Sequence, residues 1–252
     1  MQLQDNERCD RVNDNITLIQ KTDGLTFGTD ALLLSAFIDS HHSVGAELGG
    51  GTGIISLLLA SREKISTSTV FEIQEEYADL VRRNTDLNGL GTRLRAVCSD
   101  IRDLTVTEDC EIVYSNPPYM KTESGKSNLT EKKNVARHEV FGNIGDFCIA
   151  ARKLLKFGGR FFAVYRPDRL CDIVTAMRDN KLEPKRMTFV QCDVSATASM
   201  VLIEAKRGAN PGMKLTPPLI IYKDLLHTEY SDDMNYIMDN GSFPKRFGKE
   251  GR

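Results

Sequence analysis

The chain has no tryptophan, no Cys-x-x-Cys pair, no excess charge of one sign and no long apolar run. No stretch approaches the roughly 18 apolar residues that span a bilayer, which excludes a transmembrane helix. The first ten residues lack the basic-then-apolar pattern of a signal peptide. Six cysteines lie scattered at 9, 98, 110, 148, 171 and 192, so neither a zinc site nor a disulfide framework is expected. The four histidines share no ligand spacing with them, and no metal requirement is expected. A reducing cytoplasm and a monomer are the simple expectations. Lys and Arg total 33 against 35 Asp and Glu, giving a net charge of −2. A whole-molecule basic field is thereby excluded, and any nucleic acid must be held by a local patch.

What remains is a soluble composition in a chain of 252 residues, enough for one large α/β domain. Residues 1–24 are polar and read as a flexible N-terminal segment with a strand or turn near 16–20. Residues 25–206 read as the domain. Residues 207–252 read as a C-terminal appendage ending in a disordered basic tail. Within the domain, strands and helices alternate. Strands are expected at 44–48, 69–73, 94–98, 111–115 and 160–165. Helices are expected at 29–39, 54–61, 75–88, 146–156 and 169–180. Segments 186–192 and 200–205 pair as a closing hairpin, and a polar loop covers 119–140. This order predicts an α/β fold: a Rossmann-like, seven-stranded, mostly parallel sheet with an antiparallel edge strand and helices on both faces.

Four motifs fall at four strand ends. The first is Glu47-Leu48-Gly49-Gly50-Gly51-Thr52-Gly53, between a strand and a helix. Glycines at Gly49, Gly51 and Gly53 let the backbone turn tightly and approach a ligand. The spacing is Gly-x-Gly-x-Gly, which is neither the dinucleotide fingerprint nor a phosphate loop. The second is Glu72, placed to accept hydrogen bonds from ribose hydroxyls. The third is Asp100, either an acceptor for an adenine amino group or the cap of a short helix. The fourth is Asn116-Pro117-Pro118-Tyr119. Two prolines stiffen the turn and remove two N–H donors, so carbonyls and the Asn116 oxygen can accept the hydrogens of a planar amine. Tyr119 offers a ring for stacking. In a parallel sheet these loops share one edge, where ligands bind.

These motifs resemble a class I S-adenosylmethionine-dependent methyltransferase over about residues 25–206. The Asn-Pro-Pro-Tyr quartet is the pattern of enzymes acting on an amide or exocyclic amino nitrogen. Residues 26–34 (Thr-Phe-Gly-Thr-Asp-Ala-Leu-Leu-Leu) and Ala136-Arg137-His138-Glu139 resemble the bacterial valine-tRNA adenine-N6 methyltransferase family. That family methylates the adenine next to the anticodon. Its glycine turn begins Asp-Leu-Gly; Glu47 here keeps the carboxylate and lengthens it.

The resemblance implies S-adenosyl-L-methionine as cofactor, with Glu47, Gly49, Gly51, Gly53, Glu72, Asp100 and Thr29 on the cofactor side. It implies Asn116, Pro117 and Tyr119 as catalytic residues, acting on a base turned outward from tRNA. Phe27 is a second aromatic candidate, or a core residue of the first helix. Lys121 and Arg137 belong to a basic stretch suited to phosphate contacts, and His138 could order that loop. No covalent nucleophile is needed, so Cys98 and Cys110 have no expected role. Methylation of rRNA base amino groups or of a protein glutamine amide stays open, since both offer the same NH₂. A DNA adenine enzyme, a nicotinamide dehydrogenase and a non-catalytic scaffold fit the motifs less well.

Overall fold

The computed structural model describes residues 3–24, 27–118 and 142–248. Strands β1 (Glu7–Arg11) and β2 (Thr17–Lys21) form an antiparallel hairpin of their own. Then follow α1 (Thr29–Phe37), β3 (Ser43–Leu48), α2 (Ile54–Ser61), β4 (Ile65–Glu72), α3 (Glu75–Leu87), β5 (Leu94–Cys98) and β6 (Cys110–Ser115). After these come α4 (Ile144–Leu154), β7 (Leu155–Tyr165), α5 (Leu170–Asp179), β8 (Leu182–Gln191) and β9 (Ala198–Arg207). Two short strands, β10 (Lys214–Leu215) and β11 (Leu219–Ile220), precede α6 (Asp232–Asn240).

Seven long strands lie in the order β8-β9-β7-β6-β3-β4-β5, as the sequence pattern predicts in number and class. β3, β4, β5, β6 and β7 are mutually parallel. The single antiparallel strand is β9, which pairs with both β7 and β8 and so sits one place in from the edge. The crossover through α5 returns β8 parallel to β7 but skips a position. The tight hairpin then folds β9 back into the gap. β10 and β11 pair with β8 and cover part of its outer edge.

Side-chain alternation along the central strands divides the core into two layers. Ile112, Tyr114, Phe162, Val164 and Leu202 join α1 and α2 on one face. Val113, Phe161, Ala163, Val201 and Ile203 join α4 and α5 on the other. Among the described residues no helix is long and apolar enough to cross a membrane.

Two segments differ from the sequence reading. Residues 7–21, read as a flexible segment with a strand or turn near 16–20, form the ordered β1–β2 hairpin, in which β2 is the expected strand, and two asparagines clamp it to α3. The buried Asn84 side chain accepts from Ile19 N at 2.7 Å and donates to Ile19 O at 2.9 Å. Asn88 makes the same paired contacts with Thr17, at 3.0 and 2.8 Å. The tail differs also. Phe247 is fully buried and meets Phe243 edge-on, and Phe243 meets Phe37 in the same way. The buried Arg186 guanidinium joins these parts, donating to Glu204, to Phe37 O and to Phe247 O.

Candidate active site

The carboxyl ends of β3, β4, β5 and β6 open into one cleft of about 1010 Å³. Its axis is the crevice between β3 and β6, where the chain's direction of travel across the sheet reverses. Ser115 Oγ donates to Leu48 O at 2.7 Å and ties the two strand ends together there.

The glycine turn forms one wall. Gly49, Gly51 and Gly53 have φ of 70°, 53° and 78°, a region that side chains with a Cβ rarely adopt. Gly50 is required by space instead, because a Cβ there would lie 2.2 Å from Val70 Cγ1. Gly49 and Gly51 line the cleft, whereas Gly53 sits behind it and opens α2. Asn84 reaches this wall as well, donating to Thr52 O at 3.0 Å. The N-terminal hairpin and the turn are therefore held by one side chain.

The acidic residues are engaged with the wall they belong to. Glu72 Oε2 accepts from Gly51 N at 2.9 Å, and Oε1 accepts from Gln74 N at 3.0 Å. Each oxygen still has lone-pair capacity toward the cleft. Glu47 is buried, and its Oε2 accepts from Ser56 N at 3.1 Å and from Ser56 Oγ. Gly53 has no side chain to cap α2, and Glu47 performs that task from the neighbouring strand. Ser56 Oγ and Ser68 Oγ each lie 2.8 Å from Tyr114 OH, which continues a polar chain beneath the turn. Burial pushes the Glu47 carboxyl up to about 8. Asp100 lines the cleft and caps a short helical turn, accepting from Arg102 N and Arg102 Nε at 2.9 Å each. The Arg102 guanidinium holds its carboxyl below the usual range.

The opposite wall carries Asn116, Pro117 and Pro118. Asn116 Nδ2 donates to Asp30 Oδ2 at 2.7 Å. Asn116 Oδ1 is shielded from solvent and meets no hydrogen-bond donor among the described residues. A buried acceptor in that state costs about 1–3 kcal/mol until a donor arrives. Thr29 and Phe27 also line the cleft. Phe27 packs against the α1–α2 core as well, and its N–H donates to Gln20 Oε1 of β2 at 2.8 Å. Tyr119, Lys121, Arg137 and His138 lie outside the described residues. Cys98 and Cys110 do not line the cleft, and burial pushes the Cys110 thiol up to about 12.

Sequence reasoning missed several cleft residues. Asp30 lies in the 26–34 segment that carries the resemblance and opens the first helix, but no sequence signal assigns it a role in the site. Tyr77 of α3 and Tyr165 and Met200 of β7 and β9 also face the cleft. They carry no motif, and only the strand order brings them there.

Residues 21–172 match the model of the methyltransferase small domain. The chain belongs to this family. Methyltransferases of the family use S-adenosyl-L-methionine, and the chain is a methyltransferase dependent on it. Among curated relatives, a tRNA1(Val) (adenine(37)-N6)-methyltransferase of Flavobacteriaceae bacterium (strain 3519-10) is 25% identical. That match covers 77% of this chain and 82% of the relative. The enzyme of that description from Phocaeicola vulgatus is 28% identical, over 71% and 76%. Among solved structures, a predicted O-methyltransferase of Agrobacterium tumefaciens superposes with a TM-score of 0.70 at 20% identity. That match covers 86% of this chain and 98% of the other. M. jannaschii TYW2 in complex with AdoMet gives a TM-score of 0.56 at 15% identity, over 82% and 88%. The family cofactor fits the site on the chain's own features: a close-approach glycine turn, a carboxylate beside it, and a cleft at the upper end of the usual ligand-pocket size.

Proposed function

We propose that the protein methylates the N6 nitrogen of an adenine in tRNA, next to the anticodon of a valine tRNA, with the base turned out of the RNA stack. The observation that carries this is Asn116. Its amide nitrogen is held by Asp30, while its buried oxygen lacks a donor among the described residues. An exocyclic amino group supplies such a donor. The names of the curated relatives support adenine in tRNA as its bearer.

When bound, S-adenosyl-L-methionine would supply an electrophilic sulfonium methyl group: a nitrogen lone pair would attack the methyl carbon, the C–S bond would break with its electron pair left on sulfur, and one nitrogen proton would pass to water. Glu72 and the Gly49–Gly53 turn would hold its ribose and amino-acid portions, Asp100 would accept from its adenine amino group, and Thr29 would line the same site. Glu47 acts from below by fixing the turn to α2. Asn116 Oδ1 and the Pro117 carbonyl accept the two N–H bonds of the amine. This draws the nitrogen away from planarity with the ring and aims its lone pair. As positive charge grows on nitrogen, its N–H groups become stronger donors, so both contacts favour the transition state over the ground state. Tyr119 and Phe27 would stack on the base, and Lys121 and Arg137 would meet phosphates, with His138 ordering their loop. The six cysteines are all free, which supports a reducing cytoplasm as the place of action.

The test is transfer from labelled S-adenosyl-L-methionine to unmodified total tRNA, followed by nucleoside mass analysis. The expected product is N6-methyladenosine, lost in Asn116→Ala. Methylation of rRNA or of a protein glutamine without any on tRNA would overturn the tRNA assignment and leave the site chemistry standing.

A further inference from the structure

We propose that Asp30 is a positioning residue that decides which end of the Asn116 carboxamide faces the cleft. The proposal rests on Asn116 as the acceptor for the target amine. A carboxamide has two ends of similar size and opposite hydrogen-bonding character. With its oxygen forward, Asn116 attracts an amine N–H. With its nitrogen forward, it repels one. Nothing in the asparagine itself selects between the two.

The selection comes from a residue 86 positions earlier. Asp30 Oδ2 accepts from Asn116 Nδ2 at 2.7 Å. An ionised carboxylate has no proton to donate, so it accepts from the amide nitrogen and repels the amide oxygen. Nδ2 is thereby directed toward Asp30, and Oδ1 is left as the buried acceptor without a donor. Asp30 is itself held. It is the second residue of α1, and its Oδ1 accepts from Ala31 N at 2.9 Å. The first turn of a helix, with its unpaired N–H groups, is a favourable place for a carboxylate. Space is reserved too, since a Cβ at Gly28 would lie 2.6 Å from Asp30 Oδ1. A negative charge behind the amide also polarises it, making Oδ1 a stronger acceptor through the chained hydrogen bonds.

Asp30→Ala and Asp30→Asn separate this from a structural role. The Asp30→Asn side chain keeps the size of the aspartate but, with its oxygen on Ala31 N, turns a donor toward Asn116; the alanine offers neither donor nor acceptor. Two readouts are taken on the full chain. One is kcat and KM for methyl transfer to tRNA. The other is the ¹⁵N side-chain amide resonance of Asn116, identified by its loss in Asn116→Ala. In Asp30→Ala, kcat falls about 30-fold, with the KM for S-adenosyl-L-methionine and the melting temperature near wild type. The Asn116 amide protons move to positions typical of a free carboxamide. In Asp30→Asn, kcat falls at least as far as in Asp30→Ala, because the new donor attracts the Asn116 oxygen and turns its nitrogen toward the cleft. Wild-type kcat in Asp30→Ala, or an Asp30→Asn variant within about threefold of wild type, overturns the proposal. Wild-type transfer is measured first. Silence on tRNA there counts against the adenine assignment, and the amide resonance then decides the Asp30 claim: displaced in Asp30→Ala it stands, unmoved it falls.

Discussion

On the glycine-turn side of the cleft, Glu47, Glu72 and Asp100 are all engaged with their own protein: Ser56, Gly51 and Gln74, and Arg102. On the proline-turn side, Asn116 has one end held by Asp30 and the other without a donor among the described residues. The first wall is complete before any ligand arrives and suits a constant, rigidly held molecule. The second keeps an unspent acceptor, which gains most when the donor is strongest. In the proposed function, the cofactor, the same in every turnover, takes the first wall. The nitrogen proposed to gain charge during reaction takes the second.

Three variants sharpen that contrast. Asn84→Ala has the largest expected effect, because it leaves Ile19 N, Ile19 O and Thr52 O without their shared partner inside the protein. Unfolding in urea should show a loss of about 3 kcal/mol, and a loss below about 1 kcal/mol would mean that the hairpin and glycine turn are not coupled through this residue. Glu72→Ala comes next. Calorimetry should show the affinity for S-adenosyl-L-methionine falling about 30-fold, near 2 kcal/mol. Unchanged affinity would remove Glu72 from the cofactor wall.

Glu47→Gln has the smallest effect at low pH, where both side chains are neutral, and the most specific signature. The Glu47 carboxyl is raised from 4.5 to about 8 by burial. Between those values the folded protein keeps a proton that the unfolded chain has lost. The contribution is therefore present at low pH and declines as pH rises toward 8, by at most about 1.4 kcal/mol per pH unit. Unfolding followed from pH 5 to 9 should show a flatter profile in Glu47→Gln than in the wild type. Parallel profiles would mean that Glu47 does not titrate in this range.

Local pattern carried much of this architecture. Gly53 and the run after it mark α2 to the residue, and β5 (Leu94–Cys98) matches its expected bounds. The closing hairpin β8–β9 is where its apolar runs point, though each strand extends beyond them. β7 was shorter in expectation because Gly158-Gly159 resemble a helix stop. They lie inside the strand, where Gly158 has a φ of 80° and the register with β6 shifts. Of the N-terminal hairpin only the strand or turn near 16–20 was legible; β1 and the docking on α3 were not, because the anchors Asn84 and Asn88 are far away in sequence and polar. The ordered tail escaped likewise, since Phe243 and Phe247 are explained only by Phe37 and Arg186. In the site, the glycine turn, Glu72 and the Asn116-Pro117-Pro118 turn each carry a local signature. The Asp30–Asn116 pair does not, because a hydrogen bond across 86 residues leaves no periodicity to read.

The contrast between the two walls is tested most directly in Asn116→Ala. Cofactor affinity by calorimetry and single-turnover methyl transfer to tRNA are measured on the same preparation. The expected result is a dissociation constant within about twofold of wild type and a transfer rate lower by about 100-fold or more. Affinity and rate falling together, or a wild-type transfer rate, would contradict the assignment of Asn116 to the reacting nitrogen.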